Sequence, residues 1–161
     1  MRLNPVIKEL SPFSYCGTGY KTRLDANESC VNLSDSLKKK ITDDISKIDF
    51  NRYPDCLATK PVKAFSELYN ISPEYVNAGN GSDELISIIT SCFFEEGDTL
   101  VNVSHDFSMY EFYGQLYGIN VKTYQKEENL TINADKLISF CKENNAKGLI
   151  FSNPCNPTSI G

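Results

Sequence analysis

The sequence predicts an α/β fold, a mostly parallel sheet with helices on both faces, and two observations predict it. Short apolar runs rich in β-branched residues alternate with segments of helical periodicity through residues 75–152. The intervals between the runs leave room for right-handed crossover helices, the connection that parallel neighbours require. The 161 residues, 40% hydrophobic and 23% charged, fit one ordinary domain with a sizeable core.

Taken in order, the first thirty residues carry turn formers (Ser11, Pro12, Gly17, Gly19) and a segment Lys21–Glu28 that could hold a short strand. From Ser34 to Ile48, Leu37, Ile41, Ile45 and Ile48 recur at i, i+4, i+8 and i+11, the stripe of an amphipathic helix. Pro54 breaks that pattern, and a second helix is expected over Lys60–Tyr69 with Val62, Phe65 and Tyr69 inward. Pro73 marks the next boundary. A brief strand at Tyr75–Ala78 then leads to Gly79-Asn80-Gly81 and a helix that Ser82 can cap. Leu85, Ile86, Ile88, Ile89, Cys92 and Phe93 leave that helix little polar face, so it should be buried on most sides.

The remaining units are a strand at Thr99–Val103 and a helix with Met109, Phe112, Tyr113 and Leu116 at i, i+3, i+4 and i+7. A strand at Asn120–Gln125 follows, then a helix capped by Asn133 with Leu137, Ile138 and Cys141 inward, and a strand at Gly148–Ser152. Residues 1–33 read as an N-terminal arm and residues 34–161 as part of a larger α/β domain, because a sheet ending on a strand without a covering helix looks unfinished.

Sixteen basic against 21 acidic residues give a net charge of -5, with no basic cluster beyond Lys38, Lys39 and Lys40. Nucleic acid and anionic membrane are therefore poor partners, and any anionic ligand must be held by local donors. The six cysteines lack zinc-type spacing and the chain has one histidine, which argues against a zinc site. No signal peptide or run of about 20 apolar residues is present, so a cytoplasmic setting is expected, with reduced thiols packed mostly as small hydrophobes.

Four segments are candidates for chemistry. Gly79–Glu84, GNGSDE, places flexible glycines before a helix whose first N–H groups and dipole suit a phosphate. Taken alone it is better read as a capped turn, and its two carboxylates oppose an anion unless their side chains turn away. Asn153–Pro157, NPCNP, sits at the C-terminal end of a strand, where α/β sheets hold ligands. Its prolines stiffen the loop and aim the Asn153 and Asn156 amides, although an Asx-type structural turn explains it as well. In His105–Tyr110, HDFSMY, Phe107 could present its face to a ring, but core packing is the commoner use of phenylalanine. His105 has no orienting partner near it in sequence, and Asn51–Pro54, NRYP, is by itself only a loop.

In order along the chain, DANE (Asp25–Glu28), NRYPD (Asn51–Asp55), GNGSDE, HDFSMY and NPCNPT (Asn153–Thr158) resemble the amino-terminal half of the fold type I pyridoxal-phosphate (PLP) aminotransferases. Within these they are most similar to the histidinol-phosphate branch, and five segments in one order are far more specific than any one. The resemblance implies that Gly81, Ser82 and Asp83 offer backbone and hydroxyl donors to the PLP phosphate, and that Phe107 stacks on the pyridine ring. It further implies that Asn156 donates its amide to the cofactor's phenolic oxygen, and that Asn27 lies near the amino-acid substrate. Tyr53 would reach the cofactor phosphate of a neighbouring subunit, which implies a homodimer.

Two departures stand out. Thr158 is followed by Ser159 and Ile160 before Gly161, where the family turn closes directly as Asn-Pro-Thr-Gly. Phe13, in the entrance segment Leu10–Phe13, replaces a tyrosine that the histidinol-phosphate enzymes tend to carry near the substrate phosphate. By the family's order, the Schiff-base lysine, the aspartate at the pyridinium nitrogen and the carboxylate-binding arginine are expected beyond Gly161. The resemblance thus implies transamination of a phosphorylated or related amino acid against 2-oxoglutarate, with this chain inactive alone. The alternatives are a decarboxylase of threonine-phosphate type on the same scaffold, or a non-catalytic phosphate- or PLP-binding remnant.

Overall fold

The computed structural model describes residues 7–8, 19–22, 24 and 26–161. Phe13 with the rest of Leu10–Phe13, and Arg23 and Asp25 of the Lys21–Glu28 segment, lie outside the described residues; the described part of Lys21–Glu28 forms no strand. The chain divides into two compact units, one including Ala78–Gly161 and the other running up to Asn77.

In the unit up to Asn77, helix α1 spans Asp35–Ile45, with the Ser34 hydroxyl accepting from the Leu37 N–H at its start. Leu37, Ile41 and Ile45 share a face as their spacing predicts, yet each is exposed, and no residue of α1 is buried. Helix α2 spans Thr59–Tyr69, one residue earlier than expected. Asp55 anchors it: its carboxylate accepts from the N–H groups of Thr59 at 2.7 Å and Leu57 at 3.1 Å. Hydrogen bonding from the Thr59 side chain first, and then from these two N–H groups, holds the Asp55 carboxyl below its usual range. Phe65 and Tyr69, expected inward, are exposed and stack on one another at 4.4 Å, while Ser66 is the buried residue of the helix. An apolar stripe specifies a face but not the element that covers it. The strand expected at Tyr75–Ala78 is replaced by a 3₁₀ turn, Pro73–Tyr75, after which Val76 is extended without a paired strand. Pro73, with its fixed φ and missing donor, suits the first position of such a turn.

In the unit from Ala78, helix α3 (Ser82–Phe93) is followed by β1 (Thr99–Val103), α4 (Met109–Leu116), β2 (Asn120–Tyr124), α5 (Ala134–Glu143) and β3 (Gly148–Leu149). The three strands form a parallel sheet in the order β2-β1-β3, with Val101 opposite Lys122, Val103 opposite Tyr124 and Leu100 opposite Gly148. Strand β3 is shorter than the expected Gly148–Ser152, because only its start pairs with β1.

Side chains alternate across the strands, so the two faces are covered by different helices. Val101, Val103 and Tyr124 pack with Leu137 of α5, and Ile132, Phe140, Cys141 and Ala146 complete that layer. Leu100 and Val121 face the other way, against Gly114 of α4. Gly114 is glycine because a Cβ there would collide with Val121, so helix and sheet touch backbone to side chain. Asn133 caps α5 by accepting from Lys136 N at 3.1 Å, as its sequence position predicts. Ile138, expected on the inner face of that helix, is exposed, and Leu137 takes the core position. Helix α3 is not enclosed on most sides either: Ile86 and Thr90 are buried, but Ile88, Ile89 and Phe93 are exposed. The thiols also depart from expectation, since among the described residues Cys30, Cys56 and Cys92 are exposed, Cys141 is half-buried and only Cys155 is buried.

Candidate functional site

From β1 the chain crosses over α4 to reach β2 on one side, and from β2 it crosses over α5 to reach β3 on the other. The order therefore reverses between β1 and β3, and the crevice beyond their carboxyl ends is where open α/β sheets hold ligands. Two of the predicted segments leave the sheet at that point: His105–Tyr110 follows β1, and Asn153–Pro157 follows β3.

The two loops are fastened to one another. The Asp106 carboxylate accepts from Ser152 N at 3.0 Å, from the Ser152 hydroxyl through a short bond, and from Phe107 N at 2.7 Å. The Ser152 Oγ in turn accepts from Asn156 N at 2.9 Å. Cys155, between the two Asn-Pro steps, donates its thiol to the His105 carbonyl at 3.1 Å, and the Lys126 ammonium donates to the same sulfur at 2.9 Å. Burial disfavours the Cys155 thiolate, but the hydrogen bonds from Lys126 and Thr158 outweigh burial and leave the thiol below its ordinary range. His105 adopts a left-handed φ of 53°, so this carbonyl contact is set by the backbone rather than by the imidazole. Both Asn153-Pro154 and Asn156-Pro157 are cis.

Helix α3 packs beside α4. Helix α4 leaves the carboxyl end of β1 and runs back to the start of β2, and α3 lies beside it in the same direction. Ser87 of α3 and Tyr117 share a hydrogen bond of 2.8 Å, and one turn earlier Asp83 bears electrostatically on Tyr113. Asp83 is thus level with Tyr113, midway along α4.

At the helix start the Gly81 N–H donates to the Gly79 carbonyl at 3.0 Å, and no side chain caps the N–H groups of the first turn. Gly81, not Ser82, is the N-cap; its φ of 85° and ψ of 170° suit only glycine, and it supplies no side-chain cap. Ser82 is the first helical residue and is exposed. A Cβ at Gly81 would meet nothing within 4 Å, so the backbone is approachable. The two carboxylates that oppose an anion are disposed differently. Glu84 folds back to accept from the N–H and the side-chain amide of Asn80. Asp83 turns its Oδ1 into the protein, where it is buried without a hydrogen-bond partner. Burial first, and then the Asp83 charge, raise the Tyr113 phenol above its ordinary range.

The sequence profile of the family described as aminotransferase class I and II matches residues 20–160. This chain belongs to that family. Among curated aminotransferases of the histidinol-phosphate type, that of Clostridium novyi is 41% identical over 152 residues, covering 94% of this chain and 43% of the relative. That of Clostridium kluyveri is 38% identical with the same coverage. The chain thus spans less than half the length of the curated relatives it matches. The crystal structure of histidinol-phosphate aminotransferase from Sinorhizobium meliloti, in complex with pyridoxal-5'-phosphate, superposes with a TM-score of 0.83 at 23% identity, over 97% of this chain and 43% of that one. The shared fold is the aminotransferase fold that the resemblance implies, and its parallel sheet is the α/β arrangement that the alternation of strands and helices predicts.

Of the candidate residues in this aminotransferase chain, Gly81, Ser82, Asp83, Phe107 and Asn156 belong to the unit that holds the sheet. Asn27 and Tyr53 belong to the other unit; Asn27 has a left-handed φ of 50° and Tyr53 is fully exposed. The fastening of the loops was not legible. Asp106 and Ser152 are 46 residues apart in sequence, and only their positions just beyond two strand ends hint at a meeting. Tyr110, 9% exposed beneath the loop, was likewise hidden, because its partners come from the distant Ser152 segment.

Proposed function

We propose that this chain supplies the cofactor-phosphate and ring-binding part of a PLP-dependent aminotransferase acting on histidinol phosphate or a related phosphorylated amino acid, with 2-oxoglutarate as acceptor. The observation that supports the reading is the fastening of the Phe107 loop to the Asn156 loop at the switch point of the sheet, in the same unit as a helix start that no side chain caps. The names borne by relatives at 41% and 38% identity support the substrate class.

The donor set fits the group. The N–H groups of Ser82 and Asp83, with the Ser82 hydroxyl, would hold the phosphate, and Gly81, whose own N–H donates to the Gly79 carbonyl at 3.0 Å, would let it approach. A helix start contributes about 0.3–1 kcal/mol to an anion at an exposed site. Phe107 would offer its face to the ring without a phenolic hydrogen bond. Asn156 would donate its amide to the ring oxygen, favouring the ionised form of that oxygen. The Tyr110 phenol, pushed up by burial and then by the Asp106 charge, stays neutral across physiological pH and serves the Ser152 hydroxyl as a hydrogen-bond partner. PLP supplies, when bound, a ring that accepts electrons from the substrate Cα.

On the same reading, residues 34–161 are part of a large cofactor-binding domain and residues 1–33 an entrance arm, with Asn27 near the substrate. Tyr53, exposed in this chain, would reach the phosphate held by a second copy, making the working form a cytoplasmic homodimer with shared sites. The test is a coupled assay of the whole protein that carries this chain, with PLP, histidinol phosphate and 2-oxoglutarate. Glutamate formed in proportion to histidinol phosphate consumed is the expected outcome; carbon dioxide release without glutamate would replace the reading with a decarboxylase.

A further inference from the structure

Resting on the reading of the site as a PLP-binding edge, the geometry points to Asp106 as a positioning residue that, through Ser152, sets both the ring-facing Phe107 and the ring-oxygen donor Asn156. Phe107 and Asn156 leave different strands, β1 and β3, and nothing in their own sequence segments fixes their separation. One carboxylate does so. Its Oδ1 accepts from Phe107 N at 2.7 Å and from the Ser152 hydroxyl, and its Oδ2 accepts from Ser152 N at 3.0 Å. The Ser152 hydroxyl spends its proton on Asp106 and receives the Asn156 N–H at 2.9 Å, so the Asn156 backbone is registered to the β1 loop by a two-bond relay.

The chemistry of the relay is directional. An ionised carboxylate only accepts, and the three groups facing Asp106 are all donors. Asparagine at 106 would direct an amide N–H at the Ser152 N–H, opposing two donors. Alanine at 152 would remove the hydroxyl with its bonds to Asp106, Asn156 and Tyr110 while keeping the Ser152 N to Asp106 bond, so the link to Asn156 is cut and the tie between the two loops is kept. The helix start at Gly81–Asp83 is not part of the relay, so the phosphate and the ring should respond differently.

The experiment uses the whole protein carrying this chain, with Asp106→Asn, Asp106→Ala and Ser152→Ala. Affinities for pyridoxal phosphate and for inorganic phosphate are read separately, alongside backbone hydrogen exchange without cofactor. Ser152→Ala should weaken pyridoxal phosphate about tenfold, the equivalent of one lost hydrogen bond of about 1.4 kcal/mol, and leave inorganic phosphate unchanged. It should speed exchange at the Asn156 amide but not at the Phe107 amide, whereas the Asp106 variants should speed both. Equal losses for pyridoxal phosphate and inorganic phosphate, or unaltered exchange at Asn156 in Ser152→Ala, would overturn the relay. Should the parent protein bind no pyridoxal phosphate, the reading of the site falls, and the exchange data still decide whether Asp106 positions the two loops. If Asp106→Ala fails to fold, Ser152→Ala and Asp106→Asn carry the test.

Discussion

Replacing Gly81 by alanine isolates the backbone geometry on which the helix start depends. Gly81 has φ 85° and ψ 170°, a region that L side chains essentially do not occupy, and a Cβ there would meet no atom within 4 Å. The cost is therefore conformational rather than steric, on the order of 1–3 kcal/mol. The chain can meet that cost in two ways. It can keep the geometry and lose the whole amount in unfolding free energy, or rotate residue 81 to negative φ and turn the first N–H groups of α3 away from the edge. Gly97→Ala is the control: φ is 89° and a Cβ is equally unobstructed, but the residue lies in the turn before β1, at the opposite end of the sheet. Urea unfolding and phosphate affinity are measured on both variants. Gly97→Ala should lose stability and keep its phosphate affinity, whereas Gly81→Ala should lose affinity, stability or both. D-alanine introduced at 81 by chemical ligation should restore them, because its mirror-image preference includes the observed φ. If Gly81→Ala loses less than about 0.5 kcal/mol, with unchanged affinity, the conformational argument is refuted.

Three further outcomes follow from the packing and the charges. Gly114→Ala should destabilise by about 1–3 kcal/mol in urea unfolding, because the new methyl would collide with Val121 and force α4 off the sheet; a neutral result would contradict the close approach. Leu137→Ala removes the α5 contribution to the layer of Val101, Val103 and Tyr124 and should cost about 2–5 kcal/mol, while Ile138→Ala on the exposed side should cost less than 1 kcal/mol. The Asp98 carboxyl is held below its ordinary 3.8 by the Lys147 ammonium and then by the Glu95 N–H. A lowered folded-state value means that its contribution is present above that ordinary value and lost as pH falls through the folded one. Asp98→Asn should therefore flatten the acid limb of stability against pH below about 4, as thermal melts across that range would register; an unchanged limb would remove the ion pair from the account.

What the sequence disclosed and what it hid divide along physical lines. Thr99–Val103 was legible as a strand because the β-branched Thr99, Val101 and Val103 alternate in a short run between turns, and the Asn133 cap because its bond to Lys136 is local. The site's own segments were legible for the same reason: a glycine pair before a helix and two Asn-Pro steps are local constraints. Burial was not local. Phe65, Ile89 and Ile138 lie on apolar stripes yet are exposed, while Ser66, Thr90 and Gly114 are covered, since a neighbouring element and not the residue decides which side is enclosed. Asp106 and Ser152 show the same limit in the site itself. Each is unremarked in its segment, and their bond exists only because β3 pairs beside β1.

The account turns on one phosphorylated ring being held between the start of α3 and the Asn156 loop. A crystal structure of the whole protein with pyridoxal phosphate tests this most directly. The expected result is a phosphate against Gly81 and within hydrogen-bond reach of the Ser82 and Asp83 N–H groups, with the ring against Phe107 and its oxygen at the Asn156 amide. A phosphate bound elsewhere, with Ser82 and Asn156 contacting no common ligand, would contradict it.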